Sequence, residues 1–139
     1  CFQQPELFDY CRAQGIQPVG FCPLGSPNRP ERDTTPQDKC DTKMPQLVAI
    51  AQTHGISPAS VCLKWAVQRG QIPIPLSINP DHYLSNLRCV TEDPLTDAEM
   101  AVLKTLDDKD NRLIKGQVFL WPGATDWRDL WDIDGKITQ

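Results

Sequence analysis

Residues 20–30, with the sequence GFCPLGSPNRP, have the residue types of a loop that can bind a phosphorylated ligand. An apolar run ends at Phe21, and a proline, two small residues and a second proline come after Cys22. Small residues such as Gly25 and Ser26 allow backbone N–H groups to approach phosphate oxygens. The face of an aromatic ring such as Phe21 covers a planar ligand at low entropic cost. On these residues alone, a core aromatic followed by an ordinary turn is the alternative.

A second stretch with possible binding chemistry is SINPDHYLSN, residues 77–86. Asn79 is a favourable N-cap and Pro80 suits the first helical position, so a helix is predicted to begin here. The N-terminus of a helix carries a positive partial charge, and Ser77, Asn79 and the backbone N–H of Ile78 would therefore face an anion. Plain N-capping by Asn79, which needs no ligand, explains the same residues equally well.

Composition limits the classes of protein that these stretches can belong to. The chain has 139 residues, 23% charged and 40% hydrophobic, which is typical of one globular domain. A net charge of -4 argues against a general nucleic-acid-binding surface, and no apolar run reaches the roughly 18 residues of a membrane span. The first residues do not form a signal peptide and lack an initiator methionine, from which we expect a fragment or a processed piece.

The cysteines and histidines do not indicate a metal site. The six cysteines include no CxxC pair, and Cys11 and Cys62 fall at apolar positions of predicted helices. Reduced thiols in a cytoplasmic protein are therefore expected, with a secreted disulfide framework as the alternative. His54 and His82 are too far apart in sequence to suggest a zinc site, and no metal ligand is predicted.

The elements that would position the two stretches follow from periodicity and capping. Residues 16–22, IQPVGFC, and 71–77, QIPIPLS, are predicted strands. The near-continuous apolar character of the first favours a parallel strand covered on both faces, although Pro18 is unfavourable in a central strand. Residues 23–45 contain five prolines and are predicted to form a long loop. Helices are predicted over 5–14, 45–55, 57–70, from Asn79 onward, and over 96–106, with one helical turn over 126–130.

Strands that alternate with helices favour a parallel sheet with crossover helices. Two parallel strands cannot close a barrel or bury both faces of a sheet, so this pattern is incomplete by itself. A small all-helical domain is the alternative from the pattern alone.

Three segments occur together in an order and spacing that resemble one known family: GFCPLGSPNRP, QRGQIPIPLSINPDHYLSN and LTDAEMAVLKTLD. They resemble the C-terminal part of the aldo-keto reductases, which are (β/α)8 barrels of the TIM type. The resemblance implies an α/β fold that comprises the last two strands of the barrel with their helices. Residues 1–139 would form a single C-terminal half-barrel segment, with strands, helices and cofactor loops in 1–112 and a C-terminal tail in 113–139.

The resemblance also implies a function, which is NAD(P)H-dependent reduction of an aldehyde or ketone to an alcohol. The closing segment LIKGQVFLWPGATDWRDLWDIDG is similar to the tail of some sugar-active members, so a sugar is one candidate for the carbonyl substrate. The family's catalytic Asp, Tyr, Lys and His belong to the first half of the barrel, and no catalytic residue is assigned here. The chain would need the missing N-terminal half as its partner. A truncated module that binds nucleotide or a partner without catalysis is the alternative.

Site residues follow from the same resemblance. The resemblance implies that Phe21 would stack on the nicotinamide and that the loop after it would fold over the pyrophosphate. By the same resemblance, residues 77–79 would bind phosphate, Asn86 would contact the adenine, and Trp121 in the tail would shape the substrate pocket. The implied cofactor-binding set is Phe21, Cys22, Leu24, Gly25, Ser26, Asn28, Ser77, Ile78, Asn79, His82 and Asn86.

The sequence departs from the family at two positions that bear on cofactor choice. Many members that use NADPH carry a lysine before the serine of the second stretch and an arginine five residues after it, and these cations hold the 2′-phosphate. This chain has Leu76 and His82 there. Leucine has no charge and histidine is charged only part of the time near neutral pH, so use of both NADP and NAD is expected.

Overall fold

The computed structural model describes residues 2–26, 28–108 and 111–131. The predicted order of helix, strand, loop, two helices, strand and two helices is confirmed, and the strands exclude an all-helical domain. The helices are α1 (Pro5–Ala13), α2 (Pro45–His54), α3 (Pro58–Gln68), α4 (Pro80–Thr91) and α5 (Asp97–Lys104), and the strands are β1 (Val19–Phe21) and β2 (Ile72–Ile74).

Local capping explains why α3 and α5 begin where the sequence predicts. The hydroxyl of Ser57 accepts the N–H of Ser60 at 3.1 Å at the start of α3. At the start of α5, Thr96 and Glu99 form a reciprocal capping box, in which the Thr96 N–H donates to the Glu99 carboxylate at 2.7 Å. Gly55 ends α2 with a φ of 63°, a left-handed conformation that favours glycine.

The two strands pair in parallel and are shorter than predicted. Each has three residues, because prolines at 18 and 75 border them and proline has no N–H to donate to a neighbouring strand. The Pro18 carbonyl still accepts the N–H of Ile72 at 3.0 Å. Opposite positions in the pair are Val19 with Ile72, Gly20 with Pro73, and Phe21 with Ile74.

The hydrophobic core lies between helices rather than between the strands. Helix α3 is the most buried element, with Val61 fully buried and Leu63 almost so. It packs against α2, α4 and β2. The central cluster of buried side chains consists of Leu47, Ile50, Ala51, Val61, Cys62, Leu95 and Leu103. Burial raises the pKa of the Cys62 thiol to about 12, which fits a structural thiol rather than a reactive one.

One face of the sheet is open. Gly20 and Pro73 lie on the face that the helices cover, and both are half-buried. The side chains on the other face, Val19, Phe21, Ile72 and Ile74, are each more than half exposed. The expectation that β1 is covered on both faces is therefore wrong for the described residues, because the helices of this chain cover a single face.

The long loop after β1 and the tail contain short 3₁₀ helices. Two interrupt the loop, at Glu31–Asp33 and Asp41–Lys43, and two lie in the tail, at Gln117–Phe119 and Trp127–Trp131. The helical turn predicted over 126–130 thus has 3₁₀ geometry. Residues 132–139 of the predicted tail lie outside the described residues. No helix in the described part of the chain is both long enough and apolar enough to cross a membrane.

The open sheet face predicts self-association of the isolated 139-residue chain. Replacing Val19 and Ile72 with Thr keeps the strand-forming preference but removes apolar contacts at the open face. The free energy of association should become less favourable by about 2 kcal/mol, so the association constant should fall roughly thirtyfold. Sedimentation velocity over a concentration series measures this constant. Val102→Thr, an equally conservative change on exposed α5 surface, is the control. An equal effect of the control would show that the open face does not drive association.

Candidate functional site

The two stretches selected from the sequence meet at one edge of the sheet. Because Phe21 lies opposite Ile74 in a parallel pair, the carboxyl ends of β1 and β2 are level. Residues 22–26 leave the first strand and residues 75–79 leave the second at this edge. Ligands of α/β sheets bind outside the carboxyl ends of the strands, which makes this edge the candidate site.

The loop after β1 contains a cluster of left-handed backbone conformations. Cys22, Gly25 and Ser26 have φ values of 48°, 72° and 45°. For residues other than glycine this conformation costs roughly 1–2 kcal/mol, and such strain is concentrated at functional sites.

Gly25 is required by its surroundings as well as by its φ. It is buried, and a Cβ at this position would lie 2.5 Å from Cδ1 of Leu113. Its N–H donates to the Cys22 carbonyl at 3.0 Å, closing a turn. In this conformation Gly25 therefore contributes shape to the loop, while its own N–H is already used.

Phe21 lies beside a cavity instead of within the core. Its ring is 60% exposed, and with Cys22, Pro23 and Gly25 it lines a cavity of about 230 Å³. The core-aromatic interpretation of Phe21 does not describe this structure. Leu24, by contrast, packs its side chain against the core cluster, so only its backbone is available to the loop.

The second stretch uses its polar side chains for capping. The Asn79 carboxamide oxygen accepts the N–H of Asp81 at 2.9 Å, and the Ser77 hydroxyl oxygen accepts the N–H of Asn79 at 3.1 Å. The capping interpretation of Asn79 is thus confirmed. Ile78 is almost fully exposed, and the Asp81 carboxylate in the first turn partly offsets the positive end of the helix.

The remaining predicted residues lie on α4 and in the tail. His82 and Asn86 are four residues apart and share one face of α4, with His82 exposed and Asn86 half-buried. Leu76 is 93% exposed. Asn28 is exposed beside the loop. Trp121 is partly exposed and does not line the cavity next to Phe21.

Sequence reasoning missed Arg29, which is the most connected side chain of the loop. Its Nη1 donates to the carbonyl of Gly25 at 2.6 Å and to that of Ser26 at 3.3 Å. Its Nε donates to the Asp33 carbonyl at 3.3 Å, and its Nη2 forms an ion pair with Asp38 at 2.5 Å. An arginine in a proline-rich loop, nine residues from its partner, has no local pattern that would reveal this role.

Asp38 is held in its charged form by several groups. Burial alone would raise the pKa of its carboxyl group. Hydrogen bonds from the Thr35 hydroxyl and N–H, the charge of Lys115 and the hydrogen bond from Arg29 outweigh this effect and lower the pKa below its usual value. The Lys115 ammonium lies 3.6 Å from the carboxylate. Asp38 is therefore a charged, hydrogen-bonded partner of Arg29 and Lys115 and stabilises the loop.

The chemistry available at the edge is therefore recognition. It offers an exposed aromatic face, a loop with three left-handed residues and a capped helix N-terminus. Within the described ranges, no group of three or more His, Cys, Asp or Glu residues is arranged to hold a metal ion. A parallel sheet with crossover helices and binding loops at its carboxyl edge defines an α/β protein of the barrel or doubly wound class.

Comparison with known proteins identifies the family. A sequence model of the aldo/keto reductase family matches residues 1–108, and the chain belongs to this family. The fold of the family is a TIM barrel, and the helices and small parallel sheet of this chain are consistent with part of one. The prediction of family from three sequence segments is confirmed.

Individual relatives agree with this assignment. The chain is 37% identical over 134 residues to an aldo/keto reductase of Synechocystis sp., covering 94% of this chain and 39% of the relative. It is 38% identical over 104 residues to human aldo-keto reductase family 1 member A1, covering 75% of this chain and 31% of the relative. The crystal structure of apo Gox0644 superposes with a TM-score of 0.67 at 29% identity, covering 80% of this chain and 36% of that one. The chain thus spans less than two fifths of the length of these relatives.

Gly25→Ala should destabilise the loop more than a matched glycine change elsewhere. The left-handed φ costs roughly 1–2 kcal/mol, and displacement of Leu113 by the added methyl group adds about 1–3 kcal/mol. Gly55→Ala is the control, since Gly55 has a φ of 63° but open space where an added Cβ would lie. Urea unfolding of both variants measures the difference. Equal losses would mean that contact with Leu113 does not constrain this position.

Proposed function

We propose that this chain is the C-terminal, cofactor-binding part of a barrel that reduces an aldehyde or ketone to an alcohol. The observation that carries the proposal is the level carboxyl edge of β1 and β2, from which both the strained loop after Phe21 and the segment that leads to α4 leave the sheet. When bound, a nicotinamide cofactor, NADPH or NADH, supplies the hydride. Membership of the aldo/keto reductase family supports this assignment.

The residues at the edge fit a dinucleotide by their chemistry. The exposed Phe21 ring offers a flat apolar surface for the nicotinamide. The loop turns through the left-handed residues Cys22 and Ser26, and its small residues allow a backbone N–H such as that of Ser26 to approach a pyrophosphate. Asn86, one turn beyond His82 on α4, offers an amide to an adenine edge. In this proposal the chain binds and orients the cofactor.

The proton donor to the carbonyl oxygen is assigned to residues outside this chain. The two tyrosines, Tyr10 and Tyr83, lie on α1 and α4 and line no part of the cavity beside Phe21. Catalysis then requires an N-terminal half whose strands pair with the free edges of the two-stranded sheet, enclose its open face and bring the catalytic groups to the carboxyl edge. The isolated chain should bind cofactor weakly and reduce no aldehyde.

Trp121 is proposed to contact the carbonyl substrate. It belongs to an apolar stretch of the tail in which Val118 and Phe119 are also exposed. Exposed apolar groups in one short segment favour a surface that is covered in the complete protein, because burial of such groups is favourable. Packing of this tail on the outer helices is the competing arrangement.

Paired variants of the full-length protein test the proposed function. Phe21→Ala should weaken NADPH and NADH binding about tenfold, because loss of an aromatic face costs roughly 1–2 kcal/mol. Trp121→Ala should change KM for bulky against small aldehydes and leave cofactor Kd unchanged. Fluorescence titration gives Kd, and cofactor oxidation with a series of aldehydes gives KM. Trp121→Ala is the control for the Kd measurement, and Phe21→Ala is the control for the comparison of KM between bulky and small aldehydes. Absence of cofactor binding by the unmodified protein would overturn the proposal.

Cofactor choice is expected to be relaxed because neither Leu76 nor His82 provides a permanent cation. The double change Leu76→Lys with His82→Arg should tighten NADPH binding at least about tenfold, since each charge-assisted contact to a phosphate contributes roughly 1.5–3 kcal/mol before solvent screening. NADH binding should stay nearly constant, because NADH lacks the 2′-phosphate.

Titration of both cofactors against the double variant measures this change, and a neutral pair, Leu76→Gln with His82→Gln, is the control. A thousandfold NADPH preference in the unmodified protein at pH 8 would contradict this interpretation and would point to another cation at the 2′-phosphate.

A further inference from the structure

The Arg29 guanidinium stabilises the loop by hydrogen bonds to its backbone carbonyl groups. Its side chain is 10% exposed, and its donors are used by the carbonyls of Gly25, Ser26 and Asp33 and by the Asp38 carboxylate. Gly25 and Ser26 are residues with left-handed φ values, so the guanidinium stabilises the strained part of the turn. A guanidinium with these partners is not directed at a ligand.

The contacts to carbonyl oxygens also set the direction of an N–H group. In a planar trans peptide, the C=O and the N–H of the same unit point in opposite directions. Because Arg29 holds the Gly25 carbonyl, the N–H of Ser26 in that peptide unit points away from the guanidinium. The next residue in the sequence is a proline and has no N–H. Arg29 thus determines the orientation of the Ser26 donor.

The same support reaches the segment after α5. Asp38 lies between Arg29 and Lys115, with Lys115 at 3.6 Å. The Lys39 N–H donates to Oδ1 of Asn111 at 3.0 Å, and Nδ2 of Asn111 donates back to the Lys39 carbonyl at 3.1 Å. The loop that starts at the sheet edge and residues 111–115 therefore form one connected unit.

We infer that Arg29 is a positioning residue for binding of the cofactor's pyrophosphate, and that Asp38 is the residue that holds Arg29 in place. The inference rests on the proposed function and extends it to residues that touch the loop and not the ligand. The chemical class recognised by the positioned loop is a dinucleotide diphosphate.

Asp38→Asn distinguishes positioning from direct phosphate binding, because the two models predict effects of opposite sign for this variant. Asp38→Asn frees the Arg29 charge. If Arg29 bound phosphate directly, removal of the carboxylate would tighten cofactor binding. If Arg29 positions the loop, loss of its anchor weakens binding. Arg29→Lys keeps the charge but loses the planar fork that reaches several acceptors at once, so it should also weaken binding.

The measurement is Kd of the full-length protein for NADPH, for NADH and for ADP-ribose, which contains the diphosphate without the nicotinamide. Arg29→Lys and Asp38→Asn should each raise all three Kd values about fivefold to tenfold. Thr35→Val, which removes the 2.6 Å hydrogen bond to Asp38, is a milder variant with a smaller change of the same sign. Arg32→Lys is the control, since Arg32 is an exposed arginine of the same loop.

A purely structural role would lower the thermal midpoint of unfolding without a selective loss of diphosphate binding, and KM for the aldehyde would change in parallel. Positioning predicts a higher KM for the cofactor and little change in KM for the aldehyde. Unchanged Kd in both variants, or tighter binding by Asp38→Asn, would overturn this inference and leave the proposed function intact. Failure of the unmodified protein to bind any of the three probes would overturn the proposed function together with the inference.

Discussion

The parallel register of β1 and β2 is the constraint on which the rest of the structure depends. With Phe21 opposite Ile74, two segments that are about fifty residues apart in sequence leave the sheet at the same level. A shift of one residue would turn the Phe21 side chain to the opposite face, because side chains alternate along a strand. The register is held from behind by α3, which packs against β2 and whose buried residues join the core cluster with those of α2 and α5.

The two faces of the sheet differ. Helices pack on one face and form a core there, and the other face is open. Helices α2, α3 and α5 bury enough apolar side chains to form a local core. Val19, Phe21, Ile72 and Ile74 remain exposed on the other face, where a TIM barrel has its interior. On the proposed function, Phe21 has both roles at once, since its ring lies on the barrel-facing side and at the edge that binds the nicotinamide.

The conformation of the turn from Cys22 to Ser26 is stabilised by residues outside that turn. Leu113 restricts Gly25 by contact, and Arg29 holds the carbonyls of Gly25 and Ser26. Through Asp38 and Lys115 the same network joins the segment that precedes the tail. On the proposed function, a loop supported in this way is shaped before a ligand arrives, which reduces the entropic cost of binding.

The sequence by itself determined the elements whose causes are local. Helix starts at Ser57, Asn79 and the Thr96–Glu99 box involve partners within three residues, so capping patterns predicted them, and three segments in order predicted the family. Only the tertiary structure decided the strand register, the open face, the contact of Gly25 with Leu113 and that of Asp38 with Lys115. The physical reason is distance along the chain. Leu113 lies 88 residues from Gly25, and Lys115 lies 77 residues from Asp38, so no local periodicity or spacing records contacts that form only when the helices pack.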